Sequence, residues 1–127
     1  MNKINIINSS NAPKVIGAYS QAINFKDLIF TSGQIPIDKK TNNIISDIFK
    51  DQIIQVLYNL NEVLVSAGSN KKNIVKLTVY LTDLSNFNQL NEALEHFFVN
   101  NFPARSVVEV SALPMNVKVE IDAICIK

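Results

Sequence analysis

Arginine carries a planar, permanently charged fork that can hold a carboxylate through two hydrogen bonds. In this chain Arg105 follows Pro103-Ala104, where a β-rich run begins. Taken alone, an arginine at a strand entrance is most often a surface or ion-paired group. Glu120 sits between Lys118 and Asp122 on the polar side of an alternating run. The plain expectation there is a cross-strand charge pair; the chemical alternative is a carboxylate that takes a proton from water. Tyr19 lies in a loop, where its ring either covers a core edge or presents a hydroxyl to a pocket. Ser32 precedes Gly33 and reads as a turn residue. No Gly-x-Ser-x-Gly elbow surrounds it, which argues against a nucleophilic serine. Asn91 is a polar position on a helix.

Metal and thiol chemistry find little support. His96 and Cys125 are the only histidine and cysteine, and they stand far apart in the sequence. They form no ligand cluster, so no metal is expected. His96 points away from the apolar stripe of its helix and reads as solvated. Cys125 shares a strand face with Val119 and Ile121, which suits core packing. A lone cysteine forbids an intramolecular disulfide and fits a reducing compartment.

Composition narrows the rest. The 127 residues, 47% of them apolar, suit one domain over 1–127 with its own core. Net charge is +1, and the longest basic clusters are the pairs Lys39-Lys40 and Lys71-Lys72. Nucleic-acid binders gather a basic excess on one face, so no nucleic-acid partner is expected. No segment approaches the ~18 apolar residues of a membrane span, and no secretory signal pattern opens the chain. A soluble, cytoplasmic protein is the expectation.

Two helices must position these groups. From Ser46 to Ala67 the residues Phe49, Ile53, Val56, Leu57, Leu60, Val63 and Leu64 recur at spacings of three and four. Ser46 is the expected N-cap and Gly68 the expected C′ residue. A second stripe runs Phe87, Leu90, Leu94, Phe97 and Phe98, entered through Asp83 or Ser85 and ended before Pro103. Strands alternate instead. Val75, Leu77, Val79 and Leu81 should share one face of the run Ile74 to Leu81. Val117, Val119, Ile121, Ala123 and Cys125 should share another. Further β-rich runs are Ser106 to Val110 and Leu28 to Ser32, with weaker ones at Ile4 to Ile7 and Gln21 to Phe25. The expected fold is α+β, a mixed sheet with two helices packed on one face. The other face would carry Thr78, Tyr80, Val108, Val110, Glu120 and Ile124. A face so mixed rarely stays bare in water, which implies subunit association without giving its number.

Three stretches carry a family resemblance. The first is Ile16-Gly17-Ala18-Tyr19-Ser20-Gln21 with Phe30-Thr31-Ser32-Gly33-Gln34-Ile35-Pro36. The second is Val75 to Leu84 with Phe87 and Asn91, and the third is Phe102-Pro103-Ala104-Arg105-Ser106 with Val117 to Ala123. Together they resemble the Rid family, also called YjgF or L-PSP. The resemblance implies a chorismate-mutase-like fold and a homotrimer with a site in each cleft between subunits. It also implies hydrolysis of 2-imino acids to 2-keto acids and ammonia, as in a 2-iminobutanoate/2-iminopropanoate deaminase, without metal or organic cofactor. Such imines and enamines are released by pyridoxal-phosphate-dependent dehydratases.

By motif match, Arg105 corresponds to the carboxylate-binding arginine and Glu120 to the acidic residue beside the attacking water. Tyr19, Ser32, Gly33 and Asn91 match other pocket positions, and the backbone at Val107 is suited to a small substrate. The chain departs from the common pattern at Ala18, where many members have Pro, and at Val107, where many bacterial members have Cys. The loop before Phe102 is shorter than in some members. Two other functions fit parts of the pattern: a non-catalytic trimeric sensor of small carboxylates, and the endoribonuclease or translation-inhibitor activity described for some relatives.

Overall fold

The computed structural model describes residues 3–127. The chain opens with three short strands, β1 (Ile4–Ile7), β2 (Ala22–Phe25) and β3 (Leu28–Thr31). A small hairpin follows, β4 (Ile37–Asp38) and β5 (Asn43–Ile44), and leads into helix α1 (Phe49–Ser66). Then come β6 (Ile74–Leu81), helix α2 (Phe87–Phe98), β7 (Ala104–Glu109) and β8 (Val119–Ile126). The main sheet has the order β1-β2-β3-β8-β6-β7. Only β6 and β7 run parallel, and α2 is the crossover such a pair requires. The expected α+β architecture is present. The hairpin β4–β5 is an element that the alternation in the sequence did not reveal.

The helix stripes bury against one sheet face. Ile53, Val56, Leu60, Val63 and Leu64 of α1 and Leu90 of α2 pack with Leu77, Val79, Leu81, Val119, Ile121, Ala123 and Cys125. Gly68 ends α1 with a positive φ of 82°. The amide of Gly68 bonds the Val65 carbonyl and that of Ser69 bonds the Leu64 carbonyl, a Schellman arrangement that settles the last orphan carbonyls.

Two local expectations are corrected. Ser46 does not cap α1: the N-cap position is Ile48, which makes no side-chain cap bond. The Ser46 hydroxyl instead accepts from the Ile48 amide and donates to Asp51, one step outside the helix. Val75 does not join Leu77 in the core. A register shift between Ile74 and Lys76 turns Ile74 inward and leaves Val75 exposed. The extra residue of a bulge reverses the inside-outside alternation before it.

Two amides interrupt the apolar stripe of α1. Gln52 and Asn59 are both buried. Asn59 donates to the carbonyls of Ile35 (3.1 Å) and Ile37 (2.9 Å), and Gln52 spans from the Ser46 carbonyl to the Lys118 amide. These bonds tie the irregular segments at 35–37 and 118 to the helix. A buried carbonyl left without a donor costs about 1 to 3 kcal/mol, so a polar residue here stabilises more than an apolar one would.

The sheet face away from the helices is open in the single chain. Paired residues share a face in a ladder. On this face Tyr80 stands opposite Glu120, Thr78 opposite Asp122, and Phe30 opposite Ile124. The pairs Ile23 with Phe30, Phe25 with Leu28 and Ile6 with Ile23 extend it as an apolar band toward β1.

Candidate active site

Glu120 is the fixed point of one cleft on the open face. Its strand β8 buries Val119 and Ile121, so the alternation turns Glu120 outward to the open face. Tyr80, not a cation, stands directly across from it. The cross-strand ion pair that would explain Glu120 as a plain surface residue is therefore not formed by its ladder partner. Glu120 and Tyr19, Ser32 and Gly33 line one cavity of ≈ 360 Å³. Ile16, Ile35, Pro114 and Met115 give that cavity apolar walls.

The chain is drawn close to Glu120 by backbone bonds. The Gln34 amide donates to the Ile121 carbonyl at 2.8 Å and the Ile121 amide returns a bond to Gln34 at 3.1 Å. This bridge lays Gly33 against the Glu120 carboxylate. A Cβ placed on Gly33 would stand 2.2 Å from Glu120 Oε2, closer than any two such atoms can approach. Any side chain at this position would require the Glu120 carboxylate to move aside. The Ser32 hydroxyl donates to the Ser20 carbonyl at 2.6 Å, leaving its lone pairs as acceptors. Tyr19 is half exposed, and its hydroxyl accepts from the Ile16 amide at 3.4 Å. Buried Gln21 lines the same cavity, a role its place in the sequence does not mark. Its amide bonds the backbone of Ser9 and of Pro13 and so anchors the loop that carries Tyr19.

Electrostatics perturb the same carboxylate. Burial, and then the negative charge of Asp122 two residues along the strand, push the Glu120 carboxyl above the ordinary glutamate range. Burial likewise raises Asp122, although a bond from the Tyr80 hydroxyl at 3.2 Å works against that rise.

Arg105 lies elsewhere. It pairs with Leu77 in the β6–β7 ladder, and Val107 with Val79, so both point to the helix side of the sheet. Arg105 and Asn91 line a second cavity of ≈ 230 Å³ with Leu94, Glu95, Phe98 and Phe102. Val107 is partly buried against the core. Within one chain, then, the residues named from sequence fall into two groups on opposite sheet faces. Glu120, Tyr19, Ser32 and Gly33 form one; Arg105 and Asn91, with Val107 beside them on the strand, form the other.

His96 is exposed on α2 and bonds the Glu92 carbonyl, while Cys125 is fully buried. Among the described residues no cluster of His, Cys, Asp or Glu has the arrangement of a metal site. No helix among them is long and apolar enough to cross a membrane.

Comparison with known proteins places the chain in a family. The family model described as Endoribonuclease L-PSP matches residues 9–127. The chain belongs to the L-PSP, or Rid, family. A RutC family protein from Pyrococcus horikoshii is 47% identical over 96% of this chain and 97% of its own. The human protein named 2-iminobutanoate/2-iminopropanoate deaminase is 39% identical over 96% of this chain and 89% of its own. A solved structure of a Rid-family protein from Yersinia pestis superposes with a TM-score of 0.96 at 43% identity, covering 98% of this chain and 100% of that one. The Rid fold expected from the motifs is thus the fold of this chain.

Proposed function

We propose that this Rid-family protein is a 2-imino acid deaminase, acting on imines or enamines of the 2-iminobutanoate and 2-iminopropanoate class. The observation that carries the reading is Glu120. It is a half-buried carboxylate in an apolar-walled cleft, faced by Gly33 and without a cation across its ladder. The name of the human relative supports the same substrate class.

In this reading the functional unit is a homotrimer of single-domain chains. Its open sheet faces pack together, and each cleft joins the Glu120 group of one subunit to the Arg105 group of the next. The mixed apolar face supports association, because such a face is costly to leave in water. Arg105 holds the substrate carboxylate by its fork, and Asn91 stands beside it. That grip sets the imine carbon against a water near Glu120. Starting from the protonated imine, Glu120 takes a proton as the water oxygen bonds to carbon and the C=N pair moves to nitrogen, giving a neutral tetrahedral amino alcohol. Glu120 returns that proton to the nitrogen, and the C–N bond then breaks as the hydroxyl gives its proton to the carboxylate and becomes the keto oxygen, releasing ammonia and the 2-keto acid. A carboxyl whose proton affinity is raised suits both halves of that transfer. Tyr19 covers the cleft, and Ser32 with the backbone at Gly33 and Val107 contacts the small substrate.

The mechanism proposed here uses no metal or organic cofactor. The family description mentions ribonuclease activity, but a net charge of +1 offers little to a polyanion. A sensor would use Arg105 and leave Glu120 without work. We place the protein in the cytoplasm, where dehydratases release such imines. The test couples a serine or threonine dehydratase to the purified protein and follows imine decay directly. Accelerated decay supports the enzyme; binding of 2-ketobutyrate with unchanged decay replaces it with the sensor.

A further inference from the structure

Arg105 is the only arginine in the chain. Its guanidinium carbon lies 5.2 Å from the centroid of the Phe87 ring, over the ring. Phe87 is the first residue of α2, and Asn91 follows one turn later on the same side of the helix. Asn91 lines the cavity that Arg105 also lines. Helix α2 therefore sets an aromatic ring and an amide beside one guanidinium.

We propose that Phe87 is a positioning residue for Arg105, holding its guanidinium so that the fork remains free for the substrate carboxylate. The inference rests on the carboxylate-binding role of Arg105 given above. An aromatic face attracts a cation through its quadrupole and consumes no N–H donor. A carboxylate or carbonyl neighbour would fix Arg105 equally well, but it would occupy the donors that the substrate needs. Phe87 keeps 38% of its surface exposed, and it is not among the buried core residues. Its ring thus has a use at Arg105 beyond filling the interior.

The test uses the intact protein with ¹⁵N-labelled arginine, whose spectrum holds a single Nε–Hε signal. Ring current should displace that signal upfield in the wild type and in Phe87→Tyr, and Phe87→Leu should return it toward the position of free arginine. In parallel, 2-ketobutyrate should bind Phe87→Leu roughly 2- to 30-fold more weakly, the range expected for a lost cation–π contact, with Phe87→Tyr close to wild type. KM for the imine should rise with kcat changed less, as for loss of a grip present throughout the reaction. A signal that Phe87→Leu does not move overturns the contact. A moved signal with unchanged 2-ketobutyrate affinity overturns the positioning role. Failure of the wild type itself to bind 2-ketobutyrate overturns the carboxylate reading and this inference with it, and the wild-type titration alone reveals that case.

Discussion

Gly33 stands so close to Glu120 that a methyl group on its Cα would fall 2.2 Å from Oε2. Gly33 is not among the glycines with positive φ, so what a larger residue would meet here is the carboxylate and not backbone strain. Gly33→Ala should therefore leave the fold intact and push the Glu120 side chain out of place. Overpacking of this kind costs about 1 to 3 kcal/mol in stability. Turnover should fall further, by roughly 10- to 1,000-fold, if Glu120 positions the attacking water. Denaturant unfolding and imine hydrolysis on the same preparation separate the two effects. Wild-type turnover in Gly33→Ala would show that the carboxylate need not sit where it does.

Acidity gives a second check. Glu120 has its proton affinity raised, by burial first and by Asp122 second. A raised value means that the base form is lost earlier as pH falls. The acid limb of kcat/KM should therefore lie above the ~4.3 of an ordinary glutamate. Asp122→Asn removes one of the two causes while keeping an oxygen for the Tyr80 hydroxyl, so the limb should move to lower pH. A limb that stays in place or climbs would contradict Glu120 as the titrating base.

Asn59 tests what holds the cleft wall. Its side chain donates to two carbonyls, of Ile35 and Ile37, from a fully buried position. Asn59→Leu should destabilise the protein by roughly 2 to 4 kcal/mol, because both carbonyls lose their donor inside the protein. Urea unfolding measures it. A change within about 0.5 kcal/mol would mean that other donors take over both carbonyls.

Much of this was legible in the residues themselves. The alternation of Val119, Ile121, Ala123 and Cys125 gave the buried face of β8, and with it the outward direction of Glu120. The spacing of Phe49 through Leu64 gave α1 and its buried side. What the periodicity concealed was polar work inside an apolar stripe. Gln52 and Asn59 fall at the same three- and four-residue spacing as their apolar neighbours, and that placement was the available signal. Val75 misled because a bulge adds a residue without marking itself in composition. Phe87 read as core stripe, since a ring facing an arginine and a ring facing a core share one sequence pattern. The separation of Arg105 from Glu120 needed the register of β7 against β6, which depends on long-range pairing and not on local residue type.

That separation supplies the most direct test of the composite site. Arg105→Lys keeps the charge but loses the fork, and Glu120→Gln keeps the shape but loses the proton acceptor. Each variant alone should form a trimer, with imine hydrolysis reduced roughly 30- to 1,000-fold. Unfolding and reassembling the two in equal amounts would create clefts that pair an intact Arg105 from one chain with an intact Glu120 from its neighbour. With random assembly about a quarter of the clefts should be of this kind, restoring roughly a quarter of wild-type turnover. Mixed trimers no more active than the separate variants would contradict a site built from Arg105 of one subunit and Glu120 of the next.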